Sequence, residues 1–313
     1  MLRKKMSDKS RTSIMKRLKN DRYLLFMLSF GFILYIVFKW VPILGSIIAF
    51  KDYTFSGGLL GSEWVGLKHF RALLTMPDVI KVIKNTVVIS LLKLLFGFPA
   101  PILLALLINE VSNKKFKKIT QTISYLPHFF SWVVISGLLM TVLSPSTGII
   151  NKIIVAFSGK PIYFLANQKT FVPVLVISDI WKEIGWGSII YLAALTGISS
   201  ELYEVAMIDG AGRIRRIISI TIPGLLPTVA IMLIMNAGNI LNAGFDQIFN
   251  LYNPSVYDVA DIIDTYTYRV GIGSYEYSFA TAVSLFKSIA GMIMVFTANT
   301  LAKKMSDGEI ALY

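Results

Sequence analysis

The sequence predicts an all-α integral membrane protein with six transmembrane helices, and three observations carry that reading. Of the 313 residues, 55% are hydrophobic and only 16% charged, and the mean hydropathy of +0.65 lies far above that of a water-soluble domain. Six apolar windows are long enough to cross a hydrocarbon core of about 30 Å, which takes about 20 helical residues. Lys and Arg cluster between these windows rather than on one basic face. The net charge of +13 therefore points to a polytopic membrane protein in contact with lipid, not to a nucleic-acid binder.

The windows run approximately from Tyr23 to Ile43, Val87 to Ile108, Thr122 to Leu143, Phe171 to Leu195, Ile222 to Ala243 and Tyr277 to Leu301. A basic stretch from Arg3 to Arg22 precedes the first, as in a signal peptide, but the apolar run is too long and no small-residue cleavage site follows it. Orientation follows from the side on which Lys and Arg accumulate. The tail before the first window carries nine; Lys114, Lys115, Lys117, Lys118, Arg213, Arg215, Arg216, Lys303 and Lys304 bring that side to 18, against nine on the longer opposite loops. Both termini are expected in the cytoplasm. The predicted organisation is a basic tail (1–22), a first transmembrane helix (23–50), an outer segment (51–84), a five-helix core (85–301) that includes a loop at 199–223, and a cytoplasmic C-terminal tail (302–313).

Several chemistries are excluded or disfavoured. There is no cysteine, so neither a disulfide framework nor a thiolate metal site can form. The two histidines, His69 and His128, read as loop or helix-end polar contacts, and no metal site is expected. A phosphate-cradling Gly-x-x-x-x-Gly-Lys-Ser/Thr is absent; the only Gly-Lys, Gly159-Lys160, is followed by Pro161. No nucleophile, base and orienting acid converge, so no catalytic residue is assigned.

The most informative stretch is Glu201 to Pro227, on the charged side between the fourth and fifth windows. It reads as a short helix, a turn and another short helix. Ser199 or Ser200 can cap the first, Glu201 and Glu204 suit its positive N-terminal end, and Gly210 and Gly212 supply the break. Arg213, Arg215 and Arg216 then open the second piece, and Pro223 starts the following span.

Glu204, Val205, Ala206, Asp209, Gly210, Ala211, Ile217, Ile220, Ile222 and Pro223 resemble the signature loop of binding-protein-dependent ABC transporter permeases: Glu-Ala-Ala, two variable residues, Asp-Gly-Ala, then an apolar residue and Leu-Pro. Val205 for Ala and Ile222 for Leu are conservative departures. The resemblance implies a type I ABC importer permease-like bundle whose loop forms cytoplasmic coupling helices seated in a groove of an ATPase dimer. It also implies a second homologous permease subunit and an extracytoplasmic solute-binding protein, with ATP and Mg on the ATPase and no cofactor on this chain. Trp64 to Leu74, Asn85-Thr86 and Phe245-Asp246-Gln247-Ile248 resemble the maltose-permease type, nearest the branch that imports oligosaccharides and polysaccharide fragments, although Leu-Tyr-Asn-Pro254 replaces the usual Thr-Gly-Gly-Pro-like turn.

Ionisable residues within spans are costly and usually face the bundle interior or a wet cavity. Asp179, Glu183 and Trp186 fall at i, i+4 and i+7 of the fourth window, on one helical face. Asn236, Asn239 and Asn242 recur at i, i+3 and i+6 of the fifth. An aromatic ring can stack on a pyranose while carboxylates and amides bond its hydroxyls, and in the maltose type the same two helices line the cavity. Two readings stay open: a sugar pathway, or amides that glue helices beside an ion-pair cluster of Asp179, Lys182 and Glu183. Lys93 and Lys287, also within spans, would counter an acidic sugar or else snorkel or pair. The alternatives to a carbohydrate importer are an ABC permease for a non-sugar solute and a secondary transporter using the intramembrane carboxylates.

Overall fold

The computed structural model describes residues 21–238 and 240–305. Residues 1–20 of the basic tail, 306–313 of the C-terminal tail, and Asn239 lie outside the described residues. The chain divides into two compact units, Met1–His69 and Phe70–Tyr313.

In the first unit, a helical run spans Arg22–Phe50, 29 residues and long enough to cross a membrane. A π-helical turn at Ile36–Trp40 falls just before Pro42, and the N–H of Val41 reaches the carbonyl of Ile36. Proline has no N–H and its ring crowds the carbonyl four residues back, so a widened turn upstream keeps the helix going. A small antiparallel hairpin follows, with Lys51 opposite Trp64 and Asp52 opposite Glu63. Phe50 stacks on Trp64 at 5.8 Å, and the buried Lys51 ammonium donates to the carbonyls of Leu59 and Leu60 at 2.7 and 3.3 Å. His69 Nε2 lies 3.0 Å from Asp52 Oδ1, the polar contact expected of it.

The second unit contains the other five predicted spans, with three changes of boundary. The second span is a helical run over Pro77–Asn109 that starts ten residues before the predicted Val87, because Pro77 sits in the first turn, where its missing N–H costs nothing. The third window is not one helix. Lys114–Phe129 and Trp132–Val142 meet at 103°, since Pro127 falls in a 3-10 turn and Ser131 opens a new helix by accepting from the N–H of Val134. The fourth span is unbroken over Gln168–Thr196 and turns by 70° into the short helix Ser200–Ile208.

The fifth span begins earlier and ends earlier than predicted, over Arg213–Ala237. The second short helix of the loop, Arg213–Arg216, is thus continuous with the span, and Pro223 lies inside it. A π-helical turn at Ile217–Thr221 precedes Pro223 as the one in the first span precedes Pro42. Gly238 caps the helix, so Asn236 and Asn242 do not share a helical strip. The sixth span is Tyr277–Met305.

The apolar core has separate layers. Ile89, Phe171, Leu175, Ile248 and Ile262 pack together around the N-terminal part of the fourth span, and Ala105, Tyr191, Leu195 and Leu225 around its C-terminal part. Between these layers the third and fourth spans touch backbone to side-chain-free backbone. A Cβ on Gly185 would lie 1.9 Å from the carbonyl oxygen of Ser124.

Candidate functional site

Between the two apolar layers, at mid-length of the fourth span, lies a cavity of about 500 Å³. The second span contributes Ser90 and Lys93, the fourth Asp179, Glu183 and Trp186, and the segment around the end of the fifth Asn236, Ile240 and Asn242. Five of the six predicted pathway residues therefore line one space; the sixth, Asn239, is the undescribed residue. The i, i+4, i+7 face of the fourth span holds as predicted. Asn236 and Asn242 reach the cavity differently, one from the last helical turn and the other from the chain beyond it. The Asn236 amide also donates to its own helix, to the carbonyl of Met232 at 2.8 Å.

The charged side chains pair across spans. Lys93 Nζ donates to Asp179 Oδ1 at 3.0 Å and to Gln247 Oε1. Gln247 is fully buried, and its amide nitrogen donates to the Leu175 carbonyl and Ser178 hydroxyl at 2.8 and 2.9 Å. Those two bonds fix which end of the amide faces Lys93. Asp179 thus does not join Lys182 and Glu183 in one cluster on the helix. Lys287, in the sixth span, is held by both oxygens of Asp264 at 2.6 and 2.7 Å.

One turn further along the fourth span, His128 Nδ1 lies 2.7 Å from Glu183 Oε2, and Lys182 Nζ donates to the His128 carbonyl at 2.7 Å. The imidazole stacks on Trp186, and Phe129 meets the same indole edge to face. His128 is therefore more than a helix-end contact: it backs two of the cavity-lining side chains, Glu183 and Trp186. A histidine beside Pro127 within an apolar window was the available signal. The break in the third span leaves the His128 carbonyl free to accept from Lys182 and sets the His128 ring against Glu183 and Trp186.

At the far end of the fourth span, Ser199 accepts from the N–H of Glu201 and starts the short helix Ser200–Ile208. Gly210 ends it with φ +73, and the N–H of Ala211 returns to the Ala206 carbonyl at 2.8 Å. That is a left-handed C-terminal cap, the conformation glycine adopts at least cost. Tyr203 ties the helix to Thr221 of the fifth span at 3.0 Å. Leu202, Glu204, Val205, Met207, Ile208 and Asp209 remain exposed. Glu204 has no partner among the described residues. Ile220 and Pro223 lie in and just after the π-helical turn of the fifth span.

Near the start of the second span, polar side chains tie it to the segment before the sixth. Asn85 donates to the carbonyls of Asp258 and Asp261 at 3.1 Å, and Thr86 accepts from the N–H of Ile263 at 2.9 Å. Burial pushes the Asp261 carboxyl above its ordinary range despite a hydrogen bond from Thr265 and the nearby Arg269.

A multi-pass membrane bundle with a polar cavity at mid-depth, and a short exposed helix between its fourth and fifth spans, defines a membrane translocation subunit. Residues 97–307 match the family of binding-protein-dependent transport system inner membrane components, and the chain belongs to that family. It is 45% identical over 303 residues to the polygalacturonan/rhamnogalacturonan transport system permease protein YteP of Bacillus subtilis (strain 168), covering 97% of this chain and 94% of the relative. Protein LplB of the same organism is 44% identical over 295 residues, covering 94% and 93%. Among solved structures, a bacterial ABC transporter involved in import of the acidic polysaccharide alginate superposes with a TM-score of 0.87 at 42% identity, over 94% of this chain and 99% of that one. A second, of a bacterial alginate ABC transporter in complex with an alginate pentasaccharide-bound periplasmic protein, gives 0.87 at 41% identity, over 95% and 99%.

Proposed function

We propose that the chain is the permease subunit of an ATP-binding-cassette importer for an oligosaccharide delivered by an extracytoplasmic binding protein, with ATP and Mg held by a separate ATPase dimer. The observation that carries the reading is the cavity itself. An indole, two carboxylates, an ammonium and amides converge on about 500 Å³ at mid-depth, the mix of apolar face and hydrogen-bonding groups that a pyranose presents in return. A carbohydrate also agrees with the polygalacturonan and rhamnogalacturonan named for YteP and the alginate named for the two solved transporters.

The exposed helix Ser200–Ile208 supports docking on the ATPase. Its apolar side chains and Glu204 are exposed among the described residues, and its anchorage through Tyr203 lets it pass a partner's hinge motion to the fifth span. A second, homologous permease subunit would complete the pathway. Both termini are placed in the cytoplasm by the 18 to nine excess of Lys and Arg; an alkaline phosphatase fusion active after residue 313 would overturn that.

The test is reconstitution of the chain with a second permease subunit, the ATPase and the binding protein in proteoliposomes. Uptake of oligosaccharide that requires ATP and the binding protein is expected. Uptake driven by a proton or sodium gradient without ATP would instead favour the secondary-transporter alternative, with Asp179 and Glu183 as ion sites.

A further inference from the structure

We infer that Ser90 and Lys93 form a carboxylate-reading subsite in the cavity, with Asp179 as the resident counter-ion that an acidic sugar displaces. The inference rests on the oligosaccharide reading and names the substrate class within it. Lys93 has three N–H donors, of which Asp179 and Gln247 take two. The third has no partner among the described residues. One turn earlier on the same face, the hydroxyl of Ser90 is buried, lines the same cavity and has no hydrogen-bond partner among the described residues. A buried orphan of this kind costs free energy unless a ligand or water completes it.

The surroundings hold the ammonium in place rather than letting it snorkel. Its side chain is 12% exposed, and Gly244 makes room for it: a Cβ there would lie 2.8 Å from Nζ. Gln247 is itself locked by Leu175 and Ser178, so its oxygen cannot turn away. Asp179 is the less buried partner of the pair, 26% exposed. A uronate carboxylate entering the cavity can take the free N–H and the Ser90 hydroxyl, and compete with Asp179 for the ammonium. Lys93 then discriminates between acidic and neutral sugars, and Asp179 lowers the affinity for the acidic ones by occupying the same cation.

The two members of one ion pair are thus expected to act in opposite directions. In proteoliposomes holding the full complex, uptake is measured for tetrasaccharides of galacturonate and of alginate, and for the same molecules with carboxyls reduced to alcohols. The binding protein is identical in every arm, so a change in the ratio between variants belongs to the permease. Wild type is expected to prefer an acidic probe. Lys93→Met should cut that preference about tenfold or more, Lys93→Arg should restore most of it, and Asp179→Asn should raise apparent affinity for the acidic probe. Ser90→Ala should weaken the acidic probe severalfold more than the neutral one. Should the single variants fail to assemble, the neutral pair Lys93→Met with Asp179→Leu removes the uncompensated charge and keeps the measurement possible. A preference that survives in Lys93→Met or in the neutral pair overturns the inference, as does equal impairment by Lys93→Met and Asp179→Asn. If wild type carries none of the four probes under ATP, the oligosaccharide reading fails instead.

Discussion

The imidazole of His128 lies flat against the indole of Trp186, with ring centroids 4.4 Å apart and planes within 1° of parallel. One ring comes from the break in the third span and the other from the unbroken fourth, so the stack fixes the orientation of the indole at the cavity wall. A ring held in this way can present its remaining surface to a sugar at little entropic cost. Removing it with Trp186→Ala should cost about 1 to 3 kcal/mol of substrate binding, roughly a fivefold to hundredfold loss of apparent affinity. His128→Ala keeps the indole but frees it, and should cost about 0.5 to 1.5 kcal/mol. Uptake and substrate-stimulated ATPase activity in the assembled complex read both effects. Unchanged uptake in Trp186→Ala would return these side chains to the role of helix glue.

Coupling is tested at the short helix. Glu204→Lys reverses a charge on a side chain without a partner in this chain, and no span is altered; uptake should be abolished while membrane insertion stays normal. Gly210→Val forces a β-branched residue to φ +73, at about 1 to 2 kcal/mol of local strain, and should uncouple in the same way. A Glu204→Lys complex that hydrolyses ATP and transports as wild type does would exclude the docking role.

Asp261 gives a pH dependence whose sign can be worked out. Burial raises its folded-state pKa above the unfolded value of about 3.9, so between those two values the folded chain binds more protons than the unfolded one. Stability from this group is full below the unfolded pKa and is lost as pH rises through the folded one. Asp261→Asn carries no titrating proton. The stability of wild type relative to this variant should therefore fall as pH rises above about 4. Thermal unfolding in detergent over that range decides it, and a difference that grows with pH would mean that Arg269 outweighs burial.

What the sequence made legible was what is local. Apolar windows located every span, and Ser199, Glu201 and Gly210 marked the short helix Ser200–Ile208, because caps and left-handed turns depend on neighbours within a few residues. The face shared by Asp179, Glu183 and Trp186 followed from helical spacing alone. Pairings between distant residues were not legible: nothing near Lys93 announces that Asp179 and Gln247 will meet it, since segments 86 and 154 residues away in sequence supply them. The broken third span lay between these cases. Pro127 and Ser131 are stop and start signals, but averaging hydropathy over about 20 residues hides a break of two. The same averaging carried the fifth span past Gly238 and turned Asn236 and Asn242 into a strip that the helix does not contain.

The close approach of Gly185 to Ser124 sets the last prediction. A methyl group at Gly185 would lie 1.9 Å from the Ser124 carbonyl oxygen and 2.8 Å from the nitrogen of Tyr125. Both are backbone atoms, so no side chain can turn aside, and the third and fourth spans must separate. Overpacking of this kind costs about 1 to 3 kcal/mol, and contact with backbone puts Gly185→Ala at or above the upper end. Separation would also carry His128 away from Glu183 and Trp186, two residues before and one after Gly185, so the variant should lose substrate affinity along with stability. Gly137→Ala is the control: a Cβ there meets nothing within 4 Å in this chain, and in a helix that change should be neutral or stabilise by about 0.5 to 1 kcal/mol. Thermal unfolding of the detergent-solubilised protein, with uptake measured in parallel, compares the two. Equal melting temperatures for Gly185→Ala and wild type would show that the two spans do not meet there, and with that the positioning of His128 against Trp186 would lose its support.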